Sequence, residues 1–160
     1  MKREETGLVP FLKRYFSLIA WGICLCLVVM TFFQLHLPGE WWMIAMFLVL
    51  LFDFYFVAKN REAYPLPDRF RGWVIAVTAI CAVFAGINFF ISMMELARGD
   101  PRILDGAYII DYKGTVAEYI AEQEYHRLKC VEQRFAAGHM LFFYAMMMLA
   151  HCEKKVKLHI

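Results

Sequence analysis

The chain has 160 residues, of which 61% are hydrophobic and 20% charged, with a formal net charge of +2. Together with a mean hydropathy of +0.50, this apolar excess lies far above the globular norm and excludes an ordinary soluble domain. A near-neutral balance, with basic residues bordering apolar runs instead of forming one patch, argues against nucleic acid as a partner.

Four apolar runs follow one another along the chain. Tyr15 to Leu35 carries no charged residue, Trp41 to Ala58 carries only Asp53, and Gly72 to Met94 and Phe135 to Ala150 carry none. A helix needs roughly 20 apolar residues to cross the hydrocarbon core, and runs without alternation read as helices. The expected fold is therefore an all-α membrane protein built as a four-helix transmembrane bundle. Residues 1–160 form one domain with spans at about 15–35, 41–58, 72–94 and 135–151. The first run exceeds the ~7–15-residue core of a signal peptide and no small-x-small site follows it, so it reads as a retained helix.

Basic residues set the expected orientation. Lys2, Arg3, Lys13 and Arg14 precede the first span, Lys59, Arg61, Arg69 and Arg71 join the second to the third, and Lys154, Lys155 and Lys157 follow the fourth. Short basic segments stay inside, which places both termini in the cytoplasm of a cell bounded by an inner membrane. Trp41, Trp42 and Trp73 stand at span ends, as interfacial anchors do.

The extracytoplasmic side then holds the Gln34–Glu40 turn and an insertion at 99–134. Gly99-Asp100-Pro101 stops the third helix. Ala107 to Ile110 and Thr115 to Ile120 are rich in β-branched and aromatic residues, and Asp111-Tyr112-Lys113-Gly114 between them has the form of a tight turn. These features predict a short β-hairpin, which is marginal in water alone. Ala121, Tyr125, Leu128, Val131 and Phe135 recur at helical spacing, predicting an amphipathic helix for the hairpin to pack on, continuous with the fourth span. Tyr119, Glu122, Arg127 and Lys129 are expected to face a partner.

The run Gly106-Ala107-Tyr108, Gly114-Thr115-Val116, Glu124-Tyr125, Arg134 and Gly138-His139 resembles small uncharacterised bacterial inner-membrane proteins. In those, a hairpin-plus-helix insertion precedes the last span. The resemblance covers the last 50 or so residues and the span layout. It implies a bacterial inner membrane and brings no activity.

Candidate chemistry is sparse. His36 and His139, near span ends, are the expected pair if a b-type haem is bound, although histidines so placed are commonly interfacial. Met147, Met148, His151 and Cys152 offer soft ligands at helical spacing, but methionine also fills apolar packing. The five cysteines include no C-x-x-C redox pair. Asp53 lies about 9 Å inside the second span, where a carboxylate is costly. Without a second buried charge it is expected to be structural, hydrogen-bonded to His151 or Tyr144 or reaching toward Lys59. Glu40, Glu95, Arg134, His36 and His139 are expected to form a polar rim. Thr78, Ala82 and Gly86 form a small-residue stripe suited to close helix packing or a homodimer.

No nucleotide loop, positioned nucleophile or metalloprotease helix is present, and no cofactor is expected. The sequence points to a non-enzymatic protein that contacts membrane lipid and binds another membrane or extracytoplasmic protein. An immunity protein against a membrane-targeting toxin, or an accessory subunit of a membrane complex, would have this character. The alternative is a carrier, of electrons through haem at His36 and His139 or of ions past Asp53.

Overall fold

The computed structural model describes residues 8–39, 41–60 and 66–152. The chain forms α1 (Leu8–Phe32), α2 (Trp41–Asn60), a 3₁₀ turn (Asp68–Phe70), α3 (Arg71–Leu96), β1 (Asp100–Leu104), β2 (Ala107–Tyr112), β3 (Thr115–Tyr119) and α4 (Glu122–Cys152). All four α-helices are long and apolar enough to cross a membrane. The predicted amphipathic helix and fourth span are one continuous helix of 31 residues. The outermost basic residues, Lys2, Arg3, Lys154, Lys155 and Lys157, lie outside the described residues, as does Glu40.

Helix α4 is the hub. It packs against α3, α1 and α2, whereas α1 and α2 touch each other only lightly. Its buried positions Ala137, Leu141, Tyr144 with Ala145, Met148, and His151 with Cys152 recur at intervals of three or four residues, which keeps one face turned inward. The facing stripe of α3 is small and partly polar: Val74, Thr78, Cys81, Ala85, Asn88 and Ser92. It replaces the expected Thr78, Ala82 and Gly86 stripe, because Ala82 and Gly86 point outward. A strict four-residue step drifts about 40° round the helix each time, and alternating steps of three and four correct the drift. Close approach is visible at Gly138, where an added Cβ would sit 3.0 Å from Asn88 Nδ2 and 3.2 Å from Phe84 Cε1.

Hydrogen bonds to main-chain carbonyls tie the helices. Thr78 Oγ1 lies within bonding distance of Val74 O (2.8 Å) and, across the interface, Ala145 O (3.2 Å). Asn88 Nδ2 donates to Arg134 O at 2.9 Å, and the Tyr144 hydroxyl to Met46 O at 2.9 Å. In apolar surroundings such donors find few competitors. The outer surface of the bundle is large and apolar, with Ile44, Phe54, Ile80, Phe90 and Met94 among its exposed side chains.

At one end sits a three-stranded antiparallel sheet in the order β1-β2-β3. The expected hairpin is β2–β3, and the structure adds β1 on its other edge, so the fold is four helices plus a small sheet and not purely helical. The added strand follows from a second tight turn. Asp105 and Gly106 have φ of 50° and 82°, and Lys113 and Gly114 have 55° and 85°. Two successive positive φ values define the turn whose twist suits a hairpin. Pro101 lies on an edge strand, where its missing N–H is tolerated. The chain enters the sheet at Gly99, whose φ is +129° and where a Cβ would lie 2.5 Å from Asp111 O. Only glycine fits there. Pro101, Ile109 and Ile110 are buried, and β1 and β2 pack on α4, which supplies the support that an isolated hairpin lacks.

Candidate functional site

Two polar regions stand out, one at each end of α4. At the sheet end, guanidinium groups latch the sheet to the bundle. Arg127 on α4 donates to Glu124 from Nε and Nη2, both at 3.0 Å, and to Glu95 on α3. Arg98, just past α3, donates to Glu118 on β3 and lies 3.6 Å from Glu124. The Glu118 hydrogen bond and charge hold the Arg98 guanidinium in its charged form, raising its pKa. The ladder ties the end of α3 to β3 and α4, which follow it beyond the first two strands.

The four residues expected to face a partner divide. Tyr119 is 72% exposed, and Glu122 is exposed while accepting a hydrogen bond from the Tyr108 hydroxyl at 2.9 Å. That bond holds the Tyr108 proton and raises its pKa. Arg127 is half exposed but committed to its two carboxylates. Lys129 turns inward: its side chain is 17% exposed, with Nζ 2.7 Å from Glu132 and 3.8 Å from Asp100. The long stem lies along the protein and the ammonium meets carboxylates on both sides, so Lys129 is a half-buried tie and not a free surface contact.

Between the α1–α2 turn, β1 and α4 lies a cavity of about 510 Å³, with His36, Trp42, Arg102, His126, Lys129 and Gln133 on its walls. His36 Nε2 and His126 Nδ1 share a hydrogen bond at 2.9 Å. The ring centroids are 5.2 Å apart, about the nitrogen separation plus two ring radii, so the imidazoles meet end to end. His126 Nε2 lies 3.6 Å from Glu122, extending the chain of polar contacts to Tyr108. The floor is Gln133, whose amide oxygen accepts from Leu37 N at 2.7 Å and whose Nε2 donates to Leu27 O at 3.1 Å. The sequence reading passes over His126 and Gln133. The spacing Glu122 to His126, one helical turn, is the available signal for the first; none marks the second.

His36 and His139 are not brought together. His139 Nδ1 lies 2.7 Å from Phe135 O and its ring packs on Phe89 and Phe135. His126, to which His36 is bonded, stands 13 residues up the same helix, about 20 Å away. The expected rim also separates, with Glu95 on Arg127 and the Arg134 guanidinium 5.1 Å from the Phe32 ring centroid. Among the described residues, no three His, Cys, Asp or Glu side chains gather as a metal-ligating set.

At the opposite end, Asp53 is fully buried on α2. Its Oδ1 accepts from Ser17 Oγ on α1 at 2.9 Å, whereas Tyr144 is engaged with Met46 O and Lys59 donates to Tyr55 OH at 3.3 Å. Ser17, and not His151, Tyr144 or Lys59, is therefore the observed partner of Asp53. His151 is also buried, with neither ring nitrogen hydrogen-bonded to a described residue, and Asp53 Oδ2 is likewise unmatched among them. The main-chain carbonyl of His151 accepts from Leu66 N at 3.3 Å, bringing the α2–α3 connection across this end. None of the five cysteines is in a disulfide.

No family model, no curated protein and no solved structure matches this chain, so function is argued from its own geometry.

Proposed function

We propose that this is a non-enzymatic multi-pass protein of a bacterial inner membrane that binds another membrane or extracytoplasmic protein through its sheet-bearing end. Immunity to a membrane-targeting toxin, or an accessory role in a membrane complex, is the kind of task this describes. The membrane reading is supported by four spanning-length helices with a greasy exterior. The distribution of Lys and Arg supports placing the sheet outside and both termini inside.

One observation carries the binding reading. The sheet is fixed to the bundle by buried Ile109 and Ile110 and by the Arg98 and Arg127 ladder, yet every residue of β3 is exposed. A mere connector between α3 and α4 needs no such anchorage. β3 is an edge strand in the order β1-β2-β3, so its outer backbone groups are open to an added strand. Val116 and Tyr119 on it are 40% and 72% exposed, and tyrosine is favoured at the centre of protein interfaces.

Replacing residues 100–120 with a Gly/Ser segment of equal length tests the reading. Partner capture from native membranes should be lost while membrane insertion and expression persist. Unchanged capture would move the binding surface to the lipid-facing helices.

A further inference from the structure

Asp53 looks solitary in the sequence, and the bundle gives it a counterpart. The Tyr144–Met46 hydrogen bond fixes α4 against α2 at 2.9 Å. Both helices begin at the sheet end, where Trp42 and His126 line one cavity, so they run in the same direction. Asp53 lies seven residues beyond Met46, and His151 lies seven residues beyond Tyr144. Seven residues are close to two turns, about 10.5 Å along the axis and back to the same face. Asp53 and His151 therefore stand at about one level, each on the face its helix turns toward the other, two turns below a contact already made.

That level is closed. Asp53 and His151 are 0% and 2% exposed, and Leu66 at the adjoining end is 6% exposed. Ser17 occupies one carboxylate oxygen. The other oxygen and both imidazole nitrogens have no hydrogen-bond partner among the described residues. Buried polar atoms are rarely left so, and a bridging water is the usual remedy at a polar site with several such atoms. Among the described residues, the other titratable groups facing this core are Tyr15 and Cys24 on α1, Cys81 on α3 and Tyr144 and Cys152 on α4. None is a carboxylate or a basic group.

We infer that Asp53 and His151 form a proton-binding site inside the bundle, a carboxyl–imidazole pair joined through water and sharing one exchangeable proton. In one state the proton is on Asp53 Oδ2 and the imidazole is neutral. In the other, the carboxyl gives its proton to the water, the water passes one to a ring nitrogen, and a carboxylate faces an imidazolium. Both states carry zero net charge, which is the condition for keeping ionisable groups in an apolar core. Ser17 Oγ, donating to Oδ1, holds the carboxyl so that Oδ2 is the oxygen that exchanges. The site goes beyond the sheet-end binding reading and does not depend on it.

The full-length protein in lipid bilayers tests this by infrared spectroscopy, as difference spectra between the unsubstituted protein and its variants at one pH, because a shift of the proton within the pair leaves its charge unchanged. The carbonyl stretch of a protonated carboxyl should appear, be absent in Asp53→Asn, shift in deuterated water, and be displaced or lost in His151→Asn. Reciprocally, Asp53→Asn should move the ¹⁵N resonances of the His151 ring in histidine-labelled protein. A carboxyl band indifferent to His151→Asn, or His151 resonances indifferent to Asp53→Asn, overturns the pair. If His151→Asn does not assemble, the second readout decides alone.

Discussion

Replacing Gln133 by Met keeps the side-chain length and apolar contact but removes both polar functions from the junction of α1, the α1–α2 turn and α4. Gln133 is 2% exposed, and its amide satisfies Leu37 N at 2.7 Å and Leu27 O at 3.1 Å. An unmatched donor costs about 1–3 kcal/mol when buried, and the second hydrogen bond is worth about 0.5–1.5 kcal/mol; Leu37 N is half-buried on the cavity wall, so the low end of the first range applies. Leu27 O sits within a helix and retains its main-chain acceptor role, so the lower half of that second range applies. The thioether packs at least as well as the amide and offsets a little. The expected net loss is about 1–2.5 kcal/mol, roughly a fivefold to seventyfold shift in the unfolding equilibrium. Denaturation in mixed detergent micelles followed by circular dichroism measures it, and hydrogen exchange at residues 34–39 should accelerate in parallel. A loss below about 0.5 kcal/mol, the range of ordinary surface changes, would refute the role given to this amide.

Gly99→Ala should prevent the sheet from closing, since its Cβ would meet Asp111 O at 2.5 Å and its φ is +129°; limited proteolysis between 100 and 120 should become rapid while the helices stay intact. Arg127→Glu should place three carboxylates together and loosen the sheet by about 1 kcal/mol, exposed ion pairs being weak, and the double change Glu95→Arg with Arg127→Glu should recover part of it in a thermal melt. Asp53→Leu should destabilise more than Asp53→Asn, because only the asparagine can still accept from Ser17; equal melting temperatures would contradict this. A cysteine placed at Lys113 should react with a membrane-impermeant thiol reagent in intact cells, and one at Lys155 should not; the reverse pattern would invert the topology.

The helices are legible because an apolar run of spanning length has few other fates in lipid, and the continuity of α4 follows from an unbroken helical stripe through Phe135. β1 is hidden by Pro101, which discourages a strand assignment, although Leu104-Asp105-Gly106-Ala107 already carries the signature of a hairpin turn. The inward turn of Lys129 depends on Asp100, 29 residues earlier, and the Ser17–Asp53 bond spans 36 residues. Such pairings are set by how α4 docks among the other elements, which local periodicity does not encode. The His36–His126 contact is of the same kind. His36 belongs to a turn and His126 to what reads as a solvated helix face, and only the docking of α4 against that turn joins them.

Photo-crosslinking in intact cells tests the central claim most directly. A photoreactive amino acid at Tyr119, on the open edge of the sheet, should yield a discrete protein adduct, and one at Ile80, exposed on the apolar flank of α3, should not. The adduct should disappear when Ala117 is replaced by proline to block the strand edge. No protein adduct from Tyr119, or the same adduct from Ile80, would contradict the account.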